Sequence, residues 1–197
     1  MELPNTVIIQ MREWLRISMK YIKTKRLILR DWQQSDTAPF IAMNQDPDVR
    51  RYFPEKLSTE ASKQFIVDAQ KDIEDRGFGL FAVERRDTGE FIGFTGIQVL
   101  EEDGPFRLEF LPCIEIGWRL MKKHWNQGFA TEAAVGVLKF AERHTDIKEV
   151  YGLAAKRNWP SIHVMEKIGM ARVEEFDHPL IMEGHSLRKH VVYKLEM

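Results

Sequence analysis

The stretch 115–134, EIGWRLMKKHWNQGFATEAA, holds the residues whose types and spacing best suit binding chemistry. A predicted strand leads into a short loop that contains Gly128, and a predicted helix follows. Glycine lets the backbone approach a ligand closely, and the unpaired N–H groups at a helix N-terminus attract phosphate. The amides from Gln127 to Thr131 would point into the space before the helix. The pattern therefore predicts a pyrophosphate seat, with an ordinary strand-to-helix connection as the alternative.

Two better-known phosphate motifs are absent from the sequence. There is no GxxxxGK[ST] pattern, which disfavours a nucleoside triphosphatase. There is also no GxGxxG pattern after a first strand, which disfavours a dinucleotide-binding fold. A loop with one glycine could still hold a pyrophosphate without a lysine or a metal, with the hydroxyl of Thr131 as an added donor. The glycine alone does not separate this interpretation from a plain turn.

Composition narrows the class of protein. The chain of 197 residues is 44% hydrophobic and 30% charged, which is typical of a soluble globular domain with a full core. Its 29 basic and 30 acidic residues leave a formal net charge of −1, so neither nucleic acid nor an anionic membrane is expected as a partner. No apolar run approaches the roughly 20 residues that span a bilayer, and the N-terminus lacks the pattern of a signal peptide.

Cysteine and histidine usage adds two expectations. Cys113 is the single cysteine, so no disulfide can form within the chain, and we expect a cytoplasmic protein. No partner that would activate its thiol is evident, so a nucleophilic role is not expected. The histidines His178, His185 and His190 have a spacing that fits no familiar zinc motif, so no metal is expected.

The elements around the central stretch predict a mixed α/β domain at residues 21–197, preceded by an extension at residues 1–20. Alternating and apolar patterns predict about seven strands with helices between them. The strands cover residues 25–32, 80–85, 90–100, 113–121, 149–155, 171–176 and 189–194. Three consecutive strands before the central helix imply antiparallel pairing, and the strand–helix–strand step that follows implies a parallel or splayed pair.

Local signals predict where several elements begin and end. Ser35 or Asp36 caps one helix, Ser58 caps the next, and Gly77 ends the latter. Gly93 and Gly96 lie inside a predicted strand, which indicates a bulge or the close approach of another backbone. One face of a short helix in the extension could be formed by Val7, Ile8, Met11, Trp14, Leu15 and Ser18.

The central loop and several other segments together resemble the Gcn5-related N-acetyltransferase (GNAT) family, most closely its RimJ/RimL-type branch. The family's pyrophosphate loop, Q/R-x-x-G-x-G/A, matches WNQGFA at Gly128 and Ala130 and departs from it at Trp125 and Asn126. Further similar segments are TKRLILRDW, DPDVRRYFP, FAVERRDTGEFIGFTG and NWPSIHVMEKIGM. The resemblance covers about residues 24–197, and the motifs are specific jointly rather than singly.

This resemblance implies a mostly antiparallel central sheet flanked by helices, in which the fourth and fifth predicted strands splay apart. Acetyl-CoA would lie between these strands. Its pyrophosphate would sit on the loop, its pantetheine arm would pair with the fourth strand, and Asn158 would contact that arm. The cofactor-binding residues implied in this way are Trp118, Arg119, Leu120, Met121, Gln127, Gly128, Phe129, Ala130, Thr131 and Asn158.

The resemblance also implies direct transfer of an acetyl group from the thioester to a primary amine. Such a reaction needs a deprotonated amine and a stabilised leaving thiolate. Glu115 is the expected base, acting through water, and a purely structural hydrogen bond is the alternative. Many relatives use a tyrosine near the thiolate, but Met165 stands at that position, so Ser161 is the expected substitute. A serine that only satisfies the backbone at a helix start is the alternative there.

The sequence does not determine the acceptor. The branch includes enzymes that act on protein N-termini and others that act on small amines. Residues 50–54, 78–81 and 178–188 are expected to set the choice, and a homodimer is compatible with the sequence. Because Met165 replaces the tyrosine, a CoA-binding regulatory or scaffold protein with weak catalysis is the alternative function.

Overall fold

The computed structural model describes residues 18–104 and 108–197. The helix considered for the N-terminal extension falls almost entirely outside these residues. The first described strand begins at Lys20, close to the boundary expected between the extension and the domain. No helix within the two described ranges is long and apolar enough to cross a membrane.

A single eight-stranded sheet forms the centre of the described chain. Its strands are β1 (Lys20–Lys23), β2 (Leu27–Arg30), β3 (Leu80–Arg85), β4 (Phe91–Leu100), β5 (Cys113–Leu120), β6 (Glu149–Ala155), β7 (Ala171–Asp177) and β8 (Lys189–Glu196). Their order across the sheet is β1-β2-β3-β4-β5-β6-β8-β7. Every neighbouring pair is antiparallel except β5 and β6, which are parallel. The mixed, mostly antiparallel sheet is confirmed, with one strand beyond the seven expected, because the four residues of β1 are too few to show a pattern.

Five α-helices connect these strands. They are α1 (Thr37–Gln45), α2 (Pro47–Arg50), α3 (Thr59–Arg76), α4 (Phe129–His144) and α5 (Trp159–Lys167). Asp36, rather than Ser35, is the residue that precedes α1. The Ser58 hydroxyl accepts a hydrogen bond from the backbone N–H of Ala61 at 3.0 Å and so caps α3. Gly77, with a φ of 75°, ends α3 as expected.

The two faces of the sheet are covered by different helices. Directly paired residues on neighbouring strands share a face, and Phe94 on β4 pairs with Arg119 on β5. The Phe94 ring lies 6.1 Å from Phe40 of α1 and 4.9 Å from Phe65 of α3. We call this side the α1/α3 face. On the other side, which we call the α4 face, Phe81 of β3 lies 5.8 Å from a ring of α4.

The glycines of β4 allow other backbone segments to come unusually close. A Cβ atom at Gly96 would lie 1.8 Å from the carbonyl oxygen of Gly79, and one at Gly93 would lie 2.1 Å from that of Arg119. Gly93 also has a φ of 140°, which side chains rarely tolerate. The predicted close approach is therefore confirmed, with β5 at Gly93 and with the residue just before β3 at Gly96.

A buried ion-pair cluster lies beneath α1. Arg30 is 2% exposed, and its Nη1 and Nη2 atoms donate to Asp36 at 2.7 and 3.0 Å. Its Nε atom donates to Glu84 at 2.7 Å. Burial lowers the pKa of Arg30, but the hydrogen bonds to the two carboxylates outweigh it, so the pKa lies above its ordinary value. This arginine is fully paired and holds β2, β3 and the start of α1 together.

Candidate functional site

Strands β5 and β6 separate soon after they meet. Their pairing consists of one register pair, Glu115 with Tyr151, whereas β5 is paired with β4 along its whole length. The part of β5 that follows Glu115 therefore has no β-partner on its other edge within the sheet. The predicted splay is confirmed, and it opens a wedge between the two strands.

The loop between β5 and α4 has the conformation expected of an anion seat. Asn126 and Gly128 have φ values of 59° and 77°, and α4 begins at Phe129. The first helical hydrogen bond runs from the N–H of Glu132 to the carbonyl of Gly128 at 3.0 Å. The N–H groups of the preceding residues of α4 therefore have no partner inside the helix and stand at the positive end of its dipole.

Arg26, the residue just before β2, fixes this loop, a role that sequence reasoning missed. Its Nη1 atom donates to the Gln127 carbonyl at 2.9 Å, and its Nε atom donates to Glu132 at 2.6 Å. Its guanidinium also lies 4.4 Å from the centre of the Phe129 ring. The contacts join residues about a hundred positions apart in the chain, so no local sequence signal announces them.

A cavity of about 580 Å³, which we call the outer cavity, opens from the start of α4 along the wedge. Eight of the ten predicted cofactor-binding residues line it: Trp118, Arg119, Leu120, Gly128, Phe129, Ala130, Thr131 and Asn158. The other two are placed elsewhere. Met121 lines a separate surface groove, and the Gln127 side chain donates to the carbonyl of Lys123 at 2.9 Å. The outer cavity is large enough for an extended ligand with its anionic end at the α4 N-terminus.

A second cavity of about 260 Å³, which we call the inner cavity, lies deeper in the wedge. It contains side chains from all three segments expected to choose the acceptor, among them Tyr52, Leu80 and His178. The inner and outer cavities share six lining residues: Tyr52, Phe53, Trp118, Arg119, Asn158 and Ser161. We call these six residues the shared wall, because a ligand in one cavity would meet a ligand in the other there.

Glu115 lies in the inner cavity, on the α1/α3 face. The side-chain amide of Gln98, its paired residue on β4, donates to Glu115 Oε2 at 2.7 Å. Burial raises the pKa of the Glu115 carboxyl to about 7, and the Gln98 hydrogen bond opposes that rise. A carboxylate with this pKa can accept a proton near neutral pH. The structural alternative also holds in part, because Glu115 does bond to the neighbouring strand.

The start of α5 supplies the other predicted side chains. Asn158 caps the helix, with its Oδ1 atom accepting from the Ser161 N–H at 3.3 Å. Ser161 borders both cavities, and its hydroxyl has no hydrogen bond to any described residue. Met165 is 1% exposed and packs against Gly152 of β6, where a Cβ atom would come within 2.7 Å of its sulfur. Ser161 thus lies at the shared wall, whereas Met165 has no hydroxyl to offer.

The histidines and the cysteine have other surroundings. The rings of His178 and His190 lie 4.8 Å apart on the inner cavity wall, and burial lowers the pKa of both. No group of three metal-ligating side chains occurs among the described residues. Burial, with the charge of Glu115 next, raises the pKa of the Cys113 thiol to about 12, so this thiol stays protonated.

Comparison with known proteins agrees with this architecture. Residues 26–171 match the family model described as an acetyltransferase (GNAT) domain. A protein named uncharacterized N-acetyltransferase YnaD, from Bacillus subtilis strain 168, is 29% identical over 84% of this chain and 90% of its own length. A crystal structure of a GNAT-family acetyltransferase from Bacillus anthracis has a TM-score of 0.71 and 26% identity, and covers 89% of this chain and 97% of its own.

The RimL ribosomal L7/L12 α-N-protein acetyltransferase, solved with coenzyme A, shares the fold. It has a TM-score of 0.72 and 14% identity, over 91% of this chain and 98% of its own. The family match covers well over half of the chain, so the protein belongs to the GNAT family of acetyltransferases. The splayed strands, the loop and the two cavities therefore form the candidate site of this GNAT-family chain.

Proposed function

We propose that the protein transfers the acetyl group of acetyl-CoA to a primary amine. The observation that carries this proposal is the shared wall of the two cavities. One cavity ends at a helix N-terminus suited to a pyrophosphate, and the other contains a carboxylate able to accept a proton near pH 7. An enzyme that joins two substrates directly needs such a meeting point.

The outer cavity fits the proposed cosubstrate in shape and charge. The unpaired amides at the start of α4 suit the pyrophosphate of acetyl-CoA, and the free edge of β5 suits its amide-containing arm. That edge is available because β6 leaves β5 after one register pair. Acetyl-CoA supplies the activated acyl group, and the residues of the chain bind it and handle the protons.

The amine nitrogen attacks the thioester carbonyl carbon in the proposed reaction. A C–N bond forms, the C–S bond breaks, and the electron pair of that bond leaves on sulfur. Glu115 takes the proton that the amine loses, through a water molecule in the inner cavity. Ser161, whose hydroxyl borders both cavities, hydrogen-bonds to the departing sulfur.

Membership of the RimJ/RimL-type branch is part of the proposal. The supporting features are the sequence WNQGFATEA and the fold shared with RimL, a ribosomal L7/L12 α-N-protein acetyltransferase. The acceptors of such neighbours differ, since another is a spermidine N-acetyltransferase solved with CoA and spermine. The small volume of the inner cavity favours a small amine or the tip of a peptide.

A second candidate function is a CoA-binding regulatory or scaffold protein. The observation that favours it is Met165, which is buried and cannot donate a proton, at the position where the family resemblance implies a tyrosine in many relatives. This protein would bind acetyl-CoA without releasing its thiol in the presence of amines.

Two measurements test the proposal. Isothermal titration should show that acetyl-CoA binds, and the absence of binding at millimolar concentration would exclude both candidate functions. A panel of amines and N-terminal peptides, scored by release of free CoA thiol, should then identify an acceptor. Binding without thiol release for any acceptor would favour the scaffold over the enzyme.

A further inference from the structure

Arg119 is a cation in the wall of the inner cavity, and no carboxylate of the described residues neutralises it. Its Nη1 atom donates to Asn44 Oδ1 at 2.9 Å, and its buried Nε atom has no hydrogen-bond partner. Within residues 18–104 and 108–197, no acidic side chain forms an ion pair with it or supports its charge. Burial and the nearby charge of Arg50 lower the pKa of Arg119 to about 9. Charges removed from water are ordinarily paired, but the described residues provide no carboxylate for this cation.

A second arginine adds to the unbalanced charge. Arg50 is 8% exposed, and its Nε and Nη2 atoms donate to the Glu55 carbonyl at 2.9 and 2.5 Å rather than to a carboxylate. The two guanidinium groups lie 4.1 and 4.5 Å from the centre of the Phe53 ring. The ring contacts stabilise both cations, but they leave the net positive charge in place.

The free side of Arg119 faces the same space as the proposed base. Arg119, Gly117 and Glu115 alternate onto the α1/α3 face of β5, and all three line the inner cavity. A Cβ atom at Gly117 would meet nothing closer than 3.9 Å, so the floor between the two charged residues is open. Glu115 itself is too distant to neutralise Arg119, since four residues of strand separate their Cα atoms by about 13 Å.

One competing source of negative charge is acetyl-CoA, because Arg119 also borders the outer cavity. The amides proposed to hold the pyrophosphate belong to α4, which covers the opposite face of the sheet. Arg119 shares its face with Phe94, whose ring it approaches at 5.3 Å, and with the helices α1 and α3. Its position therefore matches the acceptor side of the site better than the phosphate side.

We propose that Arg119 binds a carboxylate of the acceptor, so that the substrates are amines that also carry an acidic group. This inference rests on the proposed function, in which the inner cavity receives the acceptor. The planar guanidinium suits a carboxylate, because two parallel N–H groups can meet its two oxygens. The acid would fix one end of the acceptor and leave its amine free at the shared wall.

The distance between Arg119 and Glu115 along β5 limits the length of the acceptor. The Arg119 side chain reaches towards the cavity from one end of this strand segment, and Glu115 stands about 13 Å away at the other. An acceptor with its amine and its acid separated by several bonds spans this floor better than glycine does. A graded series should therefore show an optimum at the longer members.

Calorimetric binding to the protein saturated with CoA tests the inference without requiring turnover. The probes are glycine, β-alanine, 4-aminobutanoate and 6-aminohexanoate, each paired with its own carboxamide at pH 8. We expect at least one acid to bind about tenfold more tightly than its amide, which corresponds to about 1.4 kcal/mol. Equal or tighter binding of every amide would overturn the inference.

Substitution of Arg119 tests whether it is the group responsible. Arg119→Gln should abolish the preference for the acid. Because the acetyl-CoA arm is proposed to pair with the backbone of β5 rather than with this side chain, acetyl-CoA should still bind to the variant. Arg76→Gln, which removes an exposed arginine of α3 remote from both cavities, should keep the preference. If Arg119→Gln instead weakens acetyl-CoA about tenfold and keeps the preference, the anion is a cofactor phosphate and the inference fails.

A conservative variant keeps the test informative if Arg119→Gln does not fold. Arg119→Lys retains the positive charge but loses the paired N–H groups, so it should reduce the preference without abolishing it. An unchanged preference in Arg119→Lys, together with a lowered melting temperature, would assign Arg119 a structural role and contradict the inference.

The readouts separate this inference from the proposed function. A preference for acids without any acetylated product would support the binding role of Arg119 and exclude the transferase activity. Acetylation of amines without any preference for acids would support the transferase activity and exclude the role of Arg119.

Discussion

Arg30 is a buried arginine and Arg119 a half-buried one, and their charges are paired in opposite ways. Arg30 is held by carboxylates of Asp36 and Glu84, and its pKa lies above the ordinary value. Arg119 has one amide partner and no carboxylate among the described residues, and burial lowers its pKa to about 9. The charge of Arg30 is neutralised within the fold and stabilises it, whereas the charge of Arg119 is available to a ligand.

The same contrast applies to the carboxylates. Asp36 is 1% exposed, but two nitrogens of Arg30 and the N–H of Gln33 donate to it. Glu115 has one amide donor, and burial raises its pKa to about 7. A charged side chain in a cavity without a full set of partners lowers stability but can act on a ligand. Incomplete pairing therefore distinguishes a functional site from a structural ion-pair cluster. The predictions that follow test this separation.

The largest effect on stability should come from removing Arg30. Arg30→Met leaves the buried Asp36 without its cation and should lower the free energy of unfolding by about 4 kcal/mol. Arg119→Met removes a cation that has no carboxylate, so it should cost less than about 1 kcal/mol. Urea denaturation at pH 7 measures both, and equal losses would remove the distinction between the two arginines.

Replacement of the proposed base should produce the next largest change. Glu115→Gln keeps the shape of the side chain but cannot accept a proton, so the rate of acetyl transfer should fall about 10²-fold. Glu60→Gln, on the exposed first turn of α3, is the matched control and should retain the wild-type rate. Steady-state release of thiol with an identified acceptor measures this, and a Glu115→Gln rate within twofold of the wild type would exclude the assignment.

The same variant should be more stable than the wild type at high pH. Because the pKa of Glu115 is raised in the folded state from 4.5 to about 7, the wild type loses stability as the pH rises through this interval. Glutamine does not titrate, so Glu115→Gln should gain about 3 kcal/mol at pH 8 and nothing below about pH 4.5. Melting temperatures of both proteins across this range test the sign of the stability difference. A variant less stable than the wild type at pH 8 would show that burial does not destabilise the ionised carboxylate.

The smallest predicted effect concerns Gln98. Its amide stabilises the ionised form of Glu115, so Gln98→Leu should raise the pKa of this carboxyl further. The pH at which kcat/KM reaches half its maximum should then increase by about one unit, since a hydrogen bond to a charged group contributes about 1.5 kcal/mol. An unchanged midpoint would show that the group titrating in the pH profile is not Glu115.

Local signals explain what the sequence could predict. The Ser58 cap, the Gly77 stop and the Gly128 turn each depend on a few neighbouring residues, and the structure confirms all three conformations. The strand–helix–strand step left β5 and β6 as either a parallel or a splayed pair, and the family resemblance favoured the splay. The Met121 side chain lines a separate groove, and the pairing of its backbone with the cofactor arm stays a prediction.

The rest depends on contacts between distant parts of the chain. Arg26 reaches the β5–α4 loop across about a hundred residues, and Arg119 meets Asn44 from a different layer of the fold. Whether a buried charge is paired cannot be read from its own neighbours in sequence, because the pairing partner is brought by the tertiary structure. The raised pKa of Glu115 has the same origin, since it results from burial on the α1/α3 face.

The most direct test of the central claim, that the shared wall joins acetyl-CoA to an amine, is a stoichiometric measurement. Wild-type protein and Glu115→Gln are each incubated with acetyl-CoA and the acceptor panel at pH 8, and free thiol and N-acetylated amine are quantified together. The account predicts one acetylated amine for each thiol released, at a rate that falls about 10²-fold in Glu115→Gln. Bound acetyl-CoA that yields no acetylated amine, or the same yield and rate from both proteins, would contradict it.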